Sequence, residues 1–131
     1  MKKVTGIMLL ALLAVTNTSF AAEYMSAEQV KAVFTNKTFD GVYLPKDKTF
    51  SVFEAPDGTH HVLRPSGKRD QGRTWEVNDE GQHCTTHPKS GKLRCSSVVD
   101  AGNGEYHKYN SDGEHTHTLT NFRDGNKLDS E

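Results

Sequence analysis

His83-Cys84-Thr85-Thr86-His87-Pro88-Lys89-Ser90-Gly91-Lys92-Leu93-Arg94-Cys95 sets two short strand-like runs on either side of a Pro-Lys-Ser-Gly turn, and it holds both cysteines of the chain. Gly91 stands at the position of a four-residue hairpin loop where the backbone needs positive φ. Such a loop over Pro88–Gly91 opposes His87 to Lys92 and, counting back along both strands, Cys84 to Cys95. Cysteines facing each other on neighbouring strands predict a disulfide, and no Cys-x-x-Cys spacing points instead to a redox pair or a thiolate metal site. Closing so short a loop stabilises by about 2–3 kcal/mol at most.

The same pattern extends in both directions. Segments rich in Thr, Val and aromatic residues predict strands near 38–44, 49–55, 60–64, 71–77, 82–87, 92–99, 105–110 and 115–122. Turn clusters separate them: Pro45–Lys48, Pro56-Asp57-Gly58, Pro65-Ser66-Gly67, Asn78–Gly81, Asn103-Gly104 and Asp112-Gly113. Connections this short force antiparallel neighbours, because a parallel crossover needs a dozen residues or more. The expected fold is therefore mainly β: a meander of about eight strands over 37–123, curled into a barrel or a strongly bent sheet to protect its edges. A polar tail over 124–131 follows.

In front of the strands, the segment 22–36 carries one short docking helix. Ser26 and Gln29 form a capping box, Met25 and Val30 take the staple positions, and Val30, Val33 and Phe34 share one face. Before it, Met1-Lys2-Lys3, the apolar run Ile7–Val15 and the small residues Ser19 and Ala21 make the three-part signature of a secretory signal, with cleavage expected between Ala21 and Ala22. The apolar run is about half of what a membrane span requires. The first cysteine is Cys84, so no lipidated cysteine is expected at the new N-terminus. The signal is bacterial in style, which predicts a periplasmic or secreted product, a compartment where disulfides persist.

Composition bounds the function. The 131 residues fit one domain, and 16 Lys+Arg against 17 Asp+Glu give a formal charge of −1, which argues against a nucleic-acid binder. After Ala21 the balance is 14 basic to 17 acidic residues, and only 31 of 110 are apolar. No later apolar run provides a transmembrane anchor. Strands with a continuous lipid-facing stripe, as an outer-membrane barrel needs, are not expected from so few aliphatic residues.

Several of these segments recur together in a known order. Met25-Ser26-Ala27-Glu28-Gln29-Val30, the Thr38–Gly41 strand, Ala55-Pro56-Asp57-Gly58, Gly72-x-x-Trp75, Cys84…Cys95, Asp112-Gly113 and a last strand leading into Gly125-Asn126 resemble a family of small proteobacterial exported proteins of unknown function. The resemblance covers about 25–126 and implies a lipocalin-like antiparallel β-barrel in the periplasm. It brings no catalytic residues, and His115-Thr116-His117 is an addition to its pattern.

Three kinds of chemistry remain open. Histidines are the first: His60, His61, His83, His87, His107, His115 and His117. Residues i and i+2 of a strand share a face about 6.5–7 Å apart, so His115 and His117 are candidate ligands for zinc or copper. A three-residue loop Ser111-Asp112-Gly113 would pair His107 with His117 and add a third ligand; a two-residue loop would pair it with Thr118 and lose it. The second is a ligand pocket inside the barrel, with Phe50, Val52, Trp75, Tyr106 and Leu119 as wall or core residues. The third is a protein-binding surface, for which Arg64–Arg69 and Lys89–Lys92 supply clustered positive charge. No Gly-x-Ser-x-Gly, His-Glu-x-x-His, phosphate loop or dinucleotide fingerprint is present, and Asp40, Glu54, Glu76 and Asp100 show no recognisable pairing. The reading is a monomeric, non-enzymatic binding or accessory module whose partner is an unidentified protein or small molecule, with a histidine-based metal-binding protein as the alternative.

Overall fold

A computed structural model describes residues 23–130; the expected signal segment 1–21 lies outside the described residues. Helix α1 (Ala27–Phe34) begins where the capping box predicts: the Gln29 amide donates to Ser26 Oγ at 3.2 Å, and the Ser26 amide donates to Gln29 Oε1 at 2.9 Å. Eight strands follow: β1 (Lys37–Tyr43), β2 (Lys48–Glu54), β3 (His60–Leu63), β4 (Trp75–Val77), β5 (His83–Thr86), β6 (Leu93–Gly102), β7 (Glu105–Tyr109) and β8 (His115–Asp124). None of the described helices is long and apolar enough to cross a membrane.

The strands form one antiparallel sheet in the order β3-β2-β1-β8-β7-β6-β5-β4. The two outer strands, β3 and β4, are consecutive in the chain and meet only loosely. A bridge pairs Thr59 with Thr74; the His60 amide donates to the Arg73 carbonyl at 3.0 Å, and the Trp75 amide to the Gly58 carbonyl at 2.9 Å. The result is a nearly closed barrel with one irregular seam. That seam corrects the strand expected over 71–77, which is reduced to Trp75–Val77. Gly72 takes φ +69°, and Asp70 and Arg73 turn toward each other in an ion pair at 3.0 Å, so the chain before Trp75 does not follow an extended path. The disulfide joins Cys84 and Cys95, which are register partners of β5 and β6.

Alternation divides each strand between the two faces. The inward face carries the main core, in which Val30 and Phe34 of α1 plug one end of the barrel against Phe39, Val52, Trp75, Val98 and Leu119. The Trp75 indole N–H donates to the Ala55 carbonyl at 2.9 Å, which satisfies its polar edge inside that plug. The residues after β8 do not trail away. Leu128 is buried against Phe53 and Ala55, Gly125 donates to the Asn36 carbonyl at 2.7 Å, and Thr38 Oγ1 accepts from the Lys127 amide at 2.9 Å.

Candidate functional site: the barrel interior

Above the plug the interior is not filled. A cavity of about 670 Å³ lies between the walls and opens at the end away from α1, among the turns that carry Lys46, Pro88 and Ser111. Its size falls in the range that takes a small organic ligand. Strand alternation decides what faces it. From β1, β2, β3 and β8 come Phe39, Tyr43, Phe50, Val52, Val62 and Leu119, which make one half of the ring largely apolar. Gly41 keeps that wall smooth: a Cβ there would lie 2.5 Å from Phe50 Cζ and 3.1 Å from Leu119 Cδ2, so the Phe50 ring rests directly on the β1 backbone.

The other half is polar. His83, Thr85, Arg94, Ser96 and Lys108 line it from β5, β6 and β7, with Arg73 at the seam, while Lys46, Lys48, Arg64 and His87 surround the mouth. Six lysines and arginines thus face the cavity, and among the described residues no aspartate or glutamate lines it. The chain as a whole carries −1. The lining of the cavity and its mouth therefore carries a positive charge in a chain that is slightly acidic overall.

In the wall of the cavity stands a buried polar chain. Glu54 sits between two imidazoles, with His60 Nδ1 at 2.5 Å from Oε1 and His83 Nε2 at 2.6 Å from Oε2. On its far side, His83 Nδ1 lies 2.9 Å from Lys108 Nζ. Burial alone would raise the Glu54 pKa, but the attraction and hydrogen bonds of His60 and His83 outweigh it and bring it down to about 2. Burial, reinforced by the Lys108 charge, lowers His83 to about 4, and burial lowers Lys108 to about 8. At neutral pH the chain reads Lys108 ammonium, neutral His83 and Glu54 carboxylate. His83 donates from Nε2 to Glu54 and accepts from Lys108 at Nδ1, which fixes its tautomer. The imidazole is clamped between Phe34, whose ring stacks on it at 4.2 Å, and Trp75 at 5.8 Å. At the seam, Asp70 takes two hydrogen bonds from Arg64, at 3.1 and 2.7 Å, and one from Arg73 at 3.0 Å.

The histidines named as metal ligands divide. His107 and His115 stack at 4.1 Å, and His107 pairs with Glu105, whereas His117 faces the cavity beside Phe50 and Tyr43. The expectation that His115 and His117 share a face fails because the ladder shifts by one residue: Lys108 opposes His117 but Tyr109 opposes His115, so Thr116 is extra and turns His115 outward. His107 opposes Thr118, the pairing expected of a two-residue loop, yet the same irregularity brings its ring to His115. Among the described residues, no group of three or more His, Cys, Asp or Glu is arranged to hold a metal ion. Of the pocket candidates, Phe50, Val52 and Leu119 line the cavity, while Trp75 and Tyr106 belong to the core around it. His61 lies on the outer face against Phe53.

No family model, curated protein or solved structure matches this chain.

Sequence alone does not join Glu54, His60, His83 and Lys108 as a unit, although Glu54 and Lys108 leave a trace. Glu54 follows Phe50 and Val52 at i+2 spacing, and Lys108 follows Tyr106, so each places a charge on an otherwise inward apolar face. What sequence could not provide was that the two faces meet: β2 and β7 are separated in the sheet by β1 and β8.

Proposed function

We propose that this chain is a non-enzymatic, exported binding module whose barrel takes one small organic molecule into its interior. The observation that carries this reading is the 670 Å³ cavity, open at one end and lined half by apolar and half by cationic side chains. A core built only for stability closes such a space, because unfilled volume costs packing energy. The disulfide and the secretory signature at residues 1–21 support a periplasmic or secreted location. The resemblance to the exported family of unknown function implies a lipocalin-like barrel in the periplasm and brings no catalytic residues.

The test is a native mass spectrum of the untagged protein after incubation with a small-molecule extract of the periplasm, beside its denatured spectrum. The expected result is an organic adduct present only in the native spectrum. Thr85→Trp, which fills the cavity from its polar wall, should remove it. A bare mass under all conditions, or an adduct that survives in the tryptophan variant, overturns the reading.

A further inference from the structure

We infer that the molecule held in the cavity is an organic anion with a flat apolar body, its acidic group on Lys108 Nζ and its body against Phe50 and Tyr43. The inference rests on the binding-module reading and adds the ligand's chemical class.

Lys108 is the decisive residue. It is only 7% exposed and lines the cavity. Its ammonium has three N–H donors, and among the described residues it makes one hydrogen bond, to a neutral imidazole nitrogen. Glu54, the nearest buried carboxylate, is spent on two histidines and lies beyond His83. A buried ammonium without a contacting anion is costly, and Lys108 borders the open volume with two of its donors unused. The other cations around the cavity are already accounted for: Arg64 and Arg73 are held by Asp70, and Arg94, Lys46 and Lys48 are exposed to solvent.

The opposite wall supplies the second half of the argument. A bare inorganic anion would satisfy Lys108 and leave the half-buried rings of Tyr43 and Phe50 facing water. A neutral apolar molecule would cover that wall and leave the ammonium uncompensated. An acid attached to an apolar body satisfies both. Flatness follows from Gly41, because the missing Cβ lets the Phe50 ring lie against the strand and present a smooth surface for stacking.

Isothermal titration of the intact protein at pH 7 with 2-naphthoate and with neutral 2-naphthamide tests this directly. The expected result is at least tenfold tighter binding of the carboxylate, with that preference lost in Lys108→Met and with inorganic phosphate binding far more weakly than naphthoate. Because the comparison of the two probes needs no variant, it stands even if Lys108→Met fails to fold. Equal affinity for the two probes, or binding of neither, overturns the anion inference; the barrel reading then stands or falls on its own mass spectrum. Naphthoate binding unchanged in Thr85→Trp places the probe outside the cavity and overturns both.

Discussion

Glu54 is a carboxylate whose charge is balanced by imidazoles inside a protein interior, so its loss should be felt more than that of any surface acid. Glu54→Gln removes the buried carboxylate that holds His60 and His83 and that attracts the Lys108 ammonium from beyond His83, and losing the anion of such a buried network costs about 3–5 kcal/mol. The urea midpoint should fall accordingly, and Lys108→Met added to Glu54→Gln should restore part of the loss. Lys108→Met alone should act on His83. The ammonium helps to hold that imidazole neutral, so an NMR titration should show the His83 pKa rising from about 4. Acid sensitivity follows from the same groups. Folding lowers His83 from 6.5 to about 4, His117 from 6.5 to about 3 and Glu54 from 4.5 to about 2, so the unfolded chain takes up protons that the folded chain refuses. All three shifts have one sign. Stability should be level between about pH 6.5 and 8 and fall below pH 6.5, by about 1.4 kcal/mol per pH unit for each group involved, while the lowered Lys108 pKa makes it rise above pH 8. Below pH 4.5 Glu54 adds its share as that of His83 ends near pH 4. A denaturation midpoint that stays level from pH 7 to pH 4 would contradict this account.

At the level of elements, α1 was legible because capping is local chemistry, and the strand ladder was legible because turns and alternation are local too. The β5–β6 hairpin shows how far such reading reaches. Its loop set the register, and the register set Cys84 against Cys95. The failures lie where register depends on a partner strand. Nothing in His115-Thr116-His117 announces that Thr116 is extra, since the irregularity is defined only against β7. Residues 71–74 read as strand by composition, yet Gly72 and the Asp70 ion pairs divert them. One junction between elements carries a clear mechanical expectation. Gly81 takes φ +82°, and a Cβ there would lie 2.8 Å from the Met25 carbonyl oxygen at the start of α1. Gly81→Ala should therefore cost about 1–3 kcal/mol through strain and displacement of the helix. Phe34→Ala, which removes the plug and the ring stacked on His83, should cost about 3–5 kcal/mol. Chemical denaturation followed by near-ultraviolet dichroism, which reports Trp75 at that end, checks both.

For the molecule as a whole, the lean core leaves little stability in reserve, and the disulfide matters in proportion. Replacing Cys84 and Cys95 together by serine should lower stability by about 2–3 kcal/mol, read as a shift in the urea midpoint equal to that produced by reductant on the unaltered protein. The sheet order has a further consequence for how the barrel assembles. Every neighbouring pair of strands is consecutive in the chain except β1 and β8, whose ladder joins Lys37 to Asp124. Hairpins can form by closing short loops, but this pairing must bring together segments separated by nearly the whole domain. The cavity has no enclosed shape until it forms. Enclosure of the cavity should thus be the last and slowest event in folding, with the strand pairs complete before it has a lining.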